Sequence, residues 1–158
     1  RTDHGWEPEF RKSFPVGALG LRETLMSDPG PDAAARFRAT AHLDTLLEDV
    51  PSGLEAGRVV ALGATGTNLI SIREKLETWQ PDRVHGQVLD YEEISRACAW
   101  LMDMDDVARG GLVGIERGRE KTIHIGSLIL ERFLYALKSE ACTVSVRGWR
   151  HAYLERDR

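Results

Sequence analysis

The chain has no apolar run approaching the roughly 20 residues needed to cross a bilayer, and its amino end, Arg1-Thr2-Asp3-His4-Gly5, has neither an apolar signal-peptide core nor an initiator methionine. The first absence predicts no membrane partner, and the last predicts a fragment or a processed chain. Cysteine is nearly missing. Cys98 and Cys142 are the only two. They sit inside apolar helix and strand patterns at a spacing that suits neither a disulfide framework nor a ligand pair, which predicts buried thiols in a reducing, cytoplasmic setting. Positive charge is not in excess. The 21 Lys and Arg against 25 Asp and Glu leave a net charge of −4, which argues against a general nucleic-acid surface while leaving room for a local basic pocket. Trp6, Trp79, Trp100 and Trp149 are too scattered to make a nucleic-acid stacking platform. His4, His42, His85, His124 and His151 show no His-x-x-x-His spacing, so no metal is assigned to them. Asp103, Asp105 and Asp106 are a small acidic cluster that could suggest cation binding, although carboxylates at a helix junction are usually solvated or capping. There is no internal repeat and no low-complexity tract.

What is present is the material of one α/β domain. A chain of 158 residues buries about two thirds of its unfolded surface and needs no metal or disulfide to fold. Its most informative stretch is Arg58-Val-Val-Ala-Leu-Gly-Ala-Thr-Gly-Thr-Asn-Leu-Ile70, an apolar run that passes through a glycine turn into a helical pattern. Glycines there let the backbone approach a ligand, and the free N–H groups of the helix face the turn with the positive end of the helix dipole behind them. Gly63, Ala64, Thr65, Gly66 and Thr67 are therefore the candidate phosphate-binding residues. Neither the Walker pattern nor Gly-x-Gly-x-x-Gly is present, and a plain strand-to-helix turn would look the same.

Along the chain, Ser13–Val16 reads as an edge strand, Leu19–Met26 as a short helix stopped by Asp28-Pro29-Gly30-Pro31, and Asp32–Val50 as an amphipathic helix. Val59–Leu62, apolar on both faces, reads as a strand inside a covered sheet. A helix follows to about Leu76, then irregular chain at Trp79–Asp82 and a short strand over Val84–Val88. Asp90 with Glu93 three positions on predicts a capped helix to Met104, with a further helical turn at Asp105–Arg109. Arg119–Leu137 predicts a central, largely buried helix in which Gly126 permits close packing; Cys142–Val146 is a second strand, and Trp149–Glu155 a terminal helix. Both strands end in glycine turns, and ligands of α/β folds gather at such strand ends. Arg147 and Arg150 flank the second turn and are possible phosphate contacts, although a surface pair on a terminal helix is an equal reading.

Three motifs in order resemble the exopolyphosphatase and guanosine pentaphosphate phosphohydrolase family. They are Ser13-Phe-Pro-Val-Gly-Ala-Leu-Gly-Leu-Arg-Glu23, Val60-Ala-Leu-Gly-Ala-Thr-Gly-Thr67, and the stretch from Gly114 through Arg119 to Ile-Gly-Ser-Leu-Ile-Leu130. The closing Val144-Ser-Val-Arg-Gly-Trp-Arg-His-Ala-Tyr-Leu154 is also similar. Lys121 stands where the family often has aspartate, and Gly20 where it often has arginine.

The resemblance implies a ribonuclease H-like lobe of the actin-like ATPase superfamily, a helix-rich mixed sheet covered by helices. Residues 1–158 would be the second lobe of a two-lobe phosphatase, without the first lobe and without the Asp-x-Gly-Gly-Gly-Ser loop. It further implies hydrolysis of terminal phosphate from polyphosphate or guanosine pentaphosphate, with Mg²⁺. The catalytic base would lie outside the chain, so the piece alone is expected to be inactive. Arg119 is then a further possible phosphate contact, or the partner of a structural ion pair with Glu116 or Glu120. A homodimer is possible. A non-catalytic module that senses a phosphorylated nucleotide, and a helix-rich interaction domain with no ligand, are the rival readings.

Overall fold

The computed structural model describes residues 8–27, 30–51, 54, 57–148, 151 and 154. Among these, the helices are α1 (Ala18–Thr24), α2 (Ala33–Leu47), α3 (Ala64–Arg73), α4 (Pro81–Val84), α5 (Tyr91–Met102), α6 (Asp106–Gly110) and α7 (Ile123–Ala136). The strands are β1 (Val60–Leu62), β2 (Val88–Asp90) and β3 (Ala141–Ser145). They form a mixed sheet in the order β1-β3-β2, with β1 parallel to β3 and β2 antiparallel to it. The architecture is the expected α/β one, rich in helix.

Aspartates start three of the helices. Asp32 accepts a hydrogen bond from the Ala35 amide at 2.6 Å, Asp90 from Glu93 at 2.6 Å and Asp105 from Ala108 at 2.7 Å. Each satisfies an amide that the first helical turn leaves without an internal acceptor. Two helices end on a lysine in the left-handed region, Lys75 after α3 (φ 50°) and Lys138 after α7 (φ 51°). In both, the next amide reaches back five residues, Leu76 to the Ser71 carbonyl and Ser139 to that of Leu134, which closes the helix and turns the chain away from its axis.

Helix α7 is the centre of the molecule, as its all-round apolar sequence requires. On one side Ile125 and Leu128 pack with Leu21, Ala39, Leu43 and Met102 of α1, α2 and α5. On the other, Ile123 and Leu134 belong to the cluster that includes Ile70, Leu89, Ile94 and Val144 from α3, α5 and the sheet. Helix and sheet are thus joined through one buried element. Its start is later than Arg119. Gly118 holds φ +90°, and the amides of Thr122 and Ile123 both donate to the Arg119 carbonyl, so residues 119–122 make a tight turn before regular helix begins.

Several expectations change. The Val59–Leu62 run forms the edge of the sheet, not its interior: Val60 and Leu62 are 42% and 59% exposed, because no described element covers their face. The strand expected at Val84–Val88 begins only at Val88, since Pro81 starts a helical turn that ends at Val84. That same turn replaces the irregular chain expected at Asp82. Ser13–Val16 pairs with no strand among the described residues; it is held by Phe14, whose ring meets Phe133 edge-on at 5.3 Å. Most of the expected helix Trp149–Glu155 lies outside the described residues.

The acidic cluster is structural. Asp105 caps α6, Asp103 pairs with Arg36 at 2.8 Å, and Asp106 receives Arg22 at 2.6 Å and Arg109 at 2.6 Å. Burial alone would raise the Asp106 pKa, but the two guanidinium groups outweigh it and hold the carboxyl below its ordinary range. Arg109 is fully buried and also donates to the carbonyls of Leu101, Met104 and Glu120. It ties the end of α5 to the loop that precedes α7.

Candidate functional site

The carboxyl ends of β1 and β3 open onto a cavity of about 710 Å³. Gly63, Ala64 and Thr67 from the first turn line it, with Asn68 and Ser71 farther along α3. A second wall is the chain after α3, Leu76 to Trp79. A third is the loop carrying Gly114, Ile115, Glu116 and Arg119, and β3 contributes Ser145 and Val146.

At the turn, Gly63 is the N-cap of α3 with φ 104° and ψ 178°. That backbone belongs to glycine, and a glycine cap has no side chain to give the helix amides. No side chain caps α3, and among the described residues no acceptor meets the amides of Ala64, Thr65 or Gly66. Helices α1, α4 and α7 are also without a side-chain cap, but of these uncapped ends only that of α3 lines the cavity. These amides, with the helix dipole behind them, suit an oxyanion.

The structure divides the sequence candidates. Gly63, Ala64, Thr67 and Arg119 share the cavity. Thr65 and Gly66 are not lining residues. The Thr65 hydroxyl points at Gly126 of α7, where an added Cβ would lie 2.4 Å from its Oγ1, and a Cβ at Gly66 would lie 3.2 Å from Val144. Thr65 serves packing through its side chain and Gly66 through the absence of one, and only their amides remain on the turn. The Thr67 hydroxyl donates to the Ala64 carbonyl at 3.1 Å. Arg119 lies 3.5 Å from Glu116, at side-chain exposures of 46% and 64%. Arg147 is exposed just beyond β3, its amide donating to Ser145 Oγ at 3.1 Å, and is not among the lining residues. Arg150 lies outside the described residues.

Sequence reasoning missed Asn68. It is 3% exposed, and its Nδ2 donates to the Ala64 carbonyl at 2.9 Å while its Oδ1 accepts from the Glu116 amide at 2.7 Å. One side chain thus joins α3 to the Glu116 loop. Gly114 completes the clamp with φ +95°, a Cβ there falling 2.2 Å from the Ser71 carbonyl oxygen. The available signal for Asn68 was a polar residue in the helix register of Ala64 and Ile72, four positions from each. Glu77 and Trp79 had none, because only the left-handed turn at Lys75 brings them to the cavity.

The model of the Ppx/GppA phosphatase family matches residues 3–157. A Ppx/GppA family member from Aquifex aeolicus superposes with a TM-score of 0.85 at 26% identity, over 90% of this chain and 46% of that one. A second structure, of the Aquifex aeolicus PPX-GPPA enzyme, gives 0.84 at 26% identity over 89% and 47%. An exopolyphosphatase from Cytophaga hutchinsonii gives 0.79 at 18% identity over 96% and 50%, a likeness of fold. The chain spans about half the length of these structures. No curated protein matches it. The fold is that of the actin-like superfamily lobe expected from the motifs.

Proposed function

The chain belongs to the Ppx/GppA phosphatase family, and from that premise we propose that the intact protein hydrolyses the terminal phosphoanhydride of inorganic polyphosphate or guanosine pentaphosphate, with residues 1–158 forming one wall of the cleft as its second lobe. The observation that carries the reading is the uncapped amino end of α3 opening on the cavity. Cleaving a phosphoanhydride is chiefly positioning plus stabilisation of charge on the phosphoryl oxygens. Here the amides of the Gly63–Thr67 turn bind and orient phosphate, and Arg119 at the mouth supplies a cation.

The base that activates water is assigned to the first lobe, so residues 1–158 alone are inactive. The family implies Mg²⁺, which would neutralise phosphate charge. The described residues contain no group of three His, Cys, Asp or Glu that could hold a metal ion, and Glu116 is engaged by Arg119. The described residues therefore present no complete ligand set for it.

The test is thermal melting of the chain with tripolyphosphate, against Ala64→Glu. A carboxylate in the first turn favours the helix dipole while repelling phosphate from the amides. The wild type gains stability by mass action; the variant folds as well and gains none. An equal upward shift in both refutes the site. Phosphate release from polyphosphate by the chain alone refutes the assignment of the base. Binding without turnover in the intact protein favours the nucleotide-sensing alternative.

A further inference from the structure

We propose that Asn68 is a positioning residue for phosphate binding: it sets the direction of the Thr65 amide in the α3 turn and, through the Glu116 loop, holds Arg119 at the cavity mouth. This rests on the reading of the α3 turn as the phosphate site. Asn68 is 3% exposed, and its side chain bonds in two directions. Nδ2 donates to the Ala64 carbonyl at 2.9 Å, while Oδ1 accepts from the Glu116 amide at 2.7 Å.

The first bond acts on the turn through the planarity of the peptide unit. The Ala64 carbonyl and the Thr65 N–H share one rigid plane and point in opposite directions, so a carbonyl held down the helix aims the amide at the helix's open end. Thr67 donates to the same oxygen at 3.1 Å. The brace is needed because Gly63, at φ 104°, puts no side chain on the cap, and glycine backbone is the freest of all. Amides aimed before the anion arrives spare binding the cost of ordering them.

The second bond acts on Arg119. The Glu116 carbonyl accepts from the Arg119 amide at 3.0 Å, so the turn that carries Arg119 starts from the residue Asn68 holds. Arg119 has little else to place it. Its ion pair with Glu116, at 3.5 Å, lies within that same turn, and its side chain is 46% exposed. Gly114 lies against Ser71, three positions along α3 from Asn68 and on the same helix face. That contact is steric, whereas Asn68 supplies a directed bond.

The experiment is calorimetric titration of the chain with tripolyphosphate, in metal-free buffer at pH 7.5 and well below the melting temperature, on wild type, Asn68→Ser and Asn68→Leu, each with and without Arg119→Ala. A helical serine returns its hydroxyl to the carbonyl four residues back, so Asn68→Ser keeps the Ala64 bond and is too short for the Glu116 amide. Leucine keeps the volume and makes neither bond. Arg119→Ala is expected to weaken wild-type binding about fivefold and to change binding by Asn68→Ser less than about twofold, because the untethered loop no longer holds the guanidinium in place. Asn68→Leu is expected to bind at least about tenfold more weakly than wild type. An Arg119→Ala effect that is the same in all three backgrounds makes Asn68 merely structural and overturns the proposal, as does Asn68→Leu binding within about twofold of wild type. If Arg119→Ala changes nothing in the wild type, the role of the loop falls. Should the leucine variant fail to melt cooperatively, Asn68→Ser decides by the same comparison. If the wild type binds no tripolyphosphate, the phosphate reading falls and this proposal with it, whereas every other outcome leaves that reading standing.

Discussion

His124 sits at the start of α7 with no exposed surface, and neither ring nitrogen has a hydrogen-bond partner among the described residues. Burial pushes its pKa down to about 3, and Arg109, Arg22 and Arg36 add to the fall against the single opposing charge of Asp106. The folded protein therefore keeps the imidazole neutral across the range in which the unfolded chain takes up a proton, near 6.5. A histidine with a depressed pKa contributes stability that is fully present above the unfolded value and is lost as pH falls below it. At 1.36 kcal/mol per pH unit below 6.5, less the rounding near the midpoint, the loss between pH 7.5 and pH 5 is about 2 kcal/mol. A folded pKa of 4 would give nearly the same figure, because the unfolded value sets it in this window. Asp106, whose pKa is lowered, loses its contribution only below its unfolded value of 3.8, outside the window. Urea unfolding at pH 7.5, 6 and 5 reads the effect. His124→Leu, which puts no unpaired nitrogen into the core, should be at least as stable as wild type at pH 7.5 and lose less than about 0.5 kcal/mol by pH 5. Equal acid sensitivity in both proteins would refute the reasoning.

Two further outcomes concern the walls of the cavity. Gly114→Ala and Gly118→Ala both force alanine to a φ near +90°, a strain of about 1–3 kcal/mol, but only Gly114 also drives its Cβ to 2.2 Å from the Ser71 carbonyl oxygen. Gly114→Ala should cost at least about 2 kcal/mol more in urea unfolding, and equal costs would show that the loop does not clamp α3 as described. Gly126→Ala should be destabilised by about 1–3 kcal/mol through its 2.4 Å approach to Thr65 Oγ1. Thr65→Ala should restore much of that loss, with a coupling of at least about 1 kcal/mol in the double-mutant cycle; strict additivity would place the threonine elsewhere.

Local chemistry was legible wherever one residue type dictates one backbone. Asp90 with Glu93, the apolar periodicity of α2 and α7, and the glycine turn after β1 all announce themselves, because capping, amphipathicity and positive φ are properties of a few adjacent residues. The acidic trio 103–106 has the pattern of a helix junction, and Asp105 caps α6 while Asp103 and Asp106 pair with Arg36, Arg22 and Arg109. Two misses were local, the helical turn begun by Pro81 and the tight turn before α7; the others depended on neighbours far along the chain. The run Val59–Leu62 has the composition of a covered strand, yet its place at the sheet edge follows from which strands lie beside it. A threonine in a glycine turn resembles a phosphate donor until Gly126, 61 positions away, turns out to be where its hydroxyl packs.

Residue order alone determined the longer helices, the Asp90 cap and the glycine turn into α3, since each needs only atoms within about one helical turn of each other. Tertiary structure decided which of the turn's side chains face the cavity, joined Asn68 to the Glu116 amide across 48 positions, and brought Trp79 and Arg119 to a common wall. Those arrangements depend on long-range packing around α7, and no short stretch of sequence contains both partners.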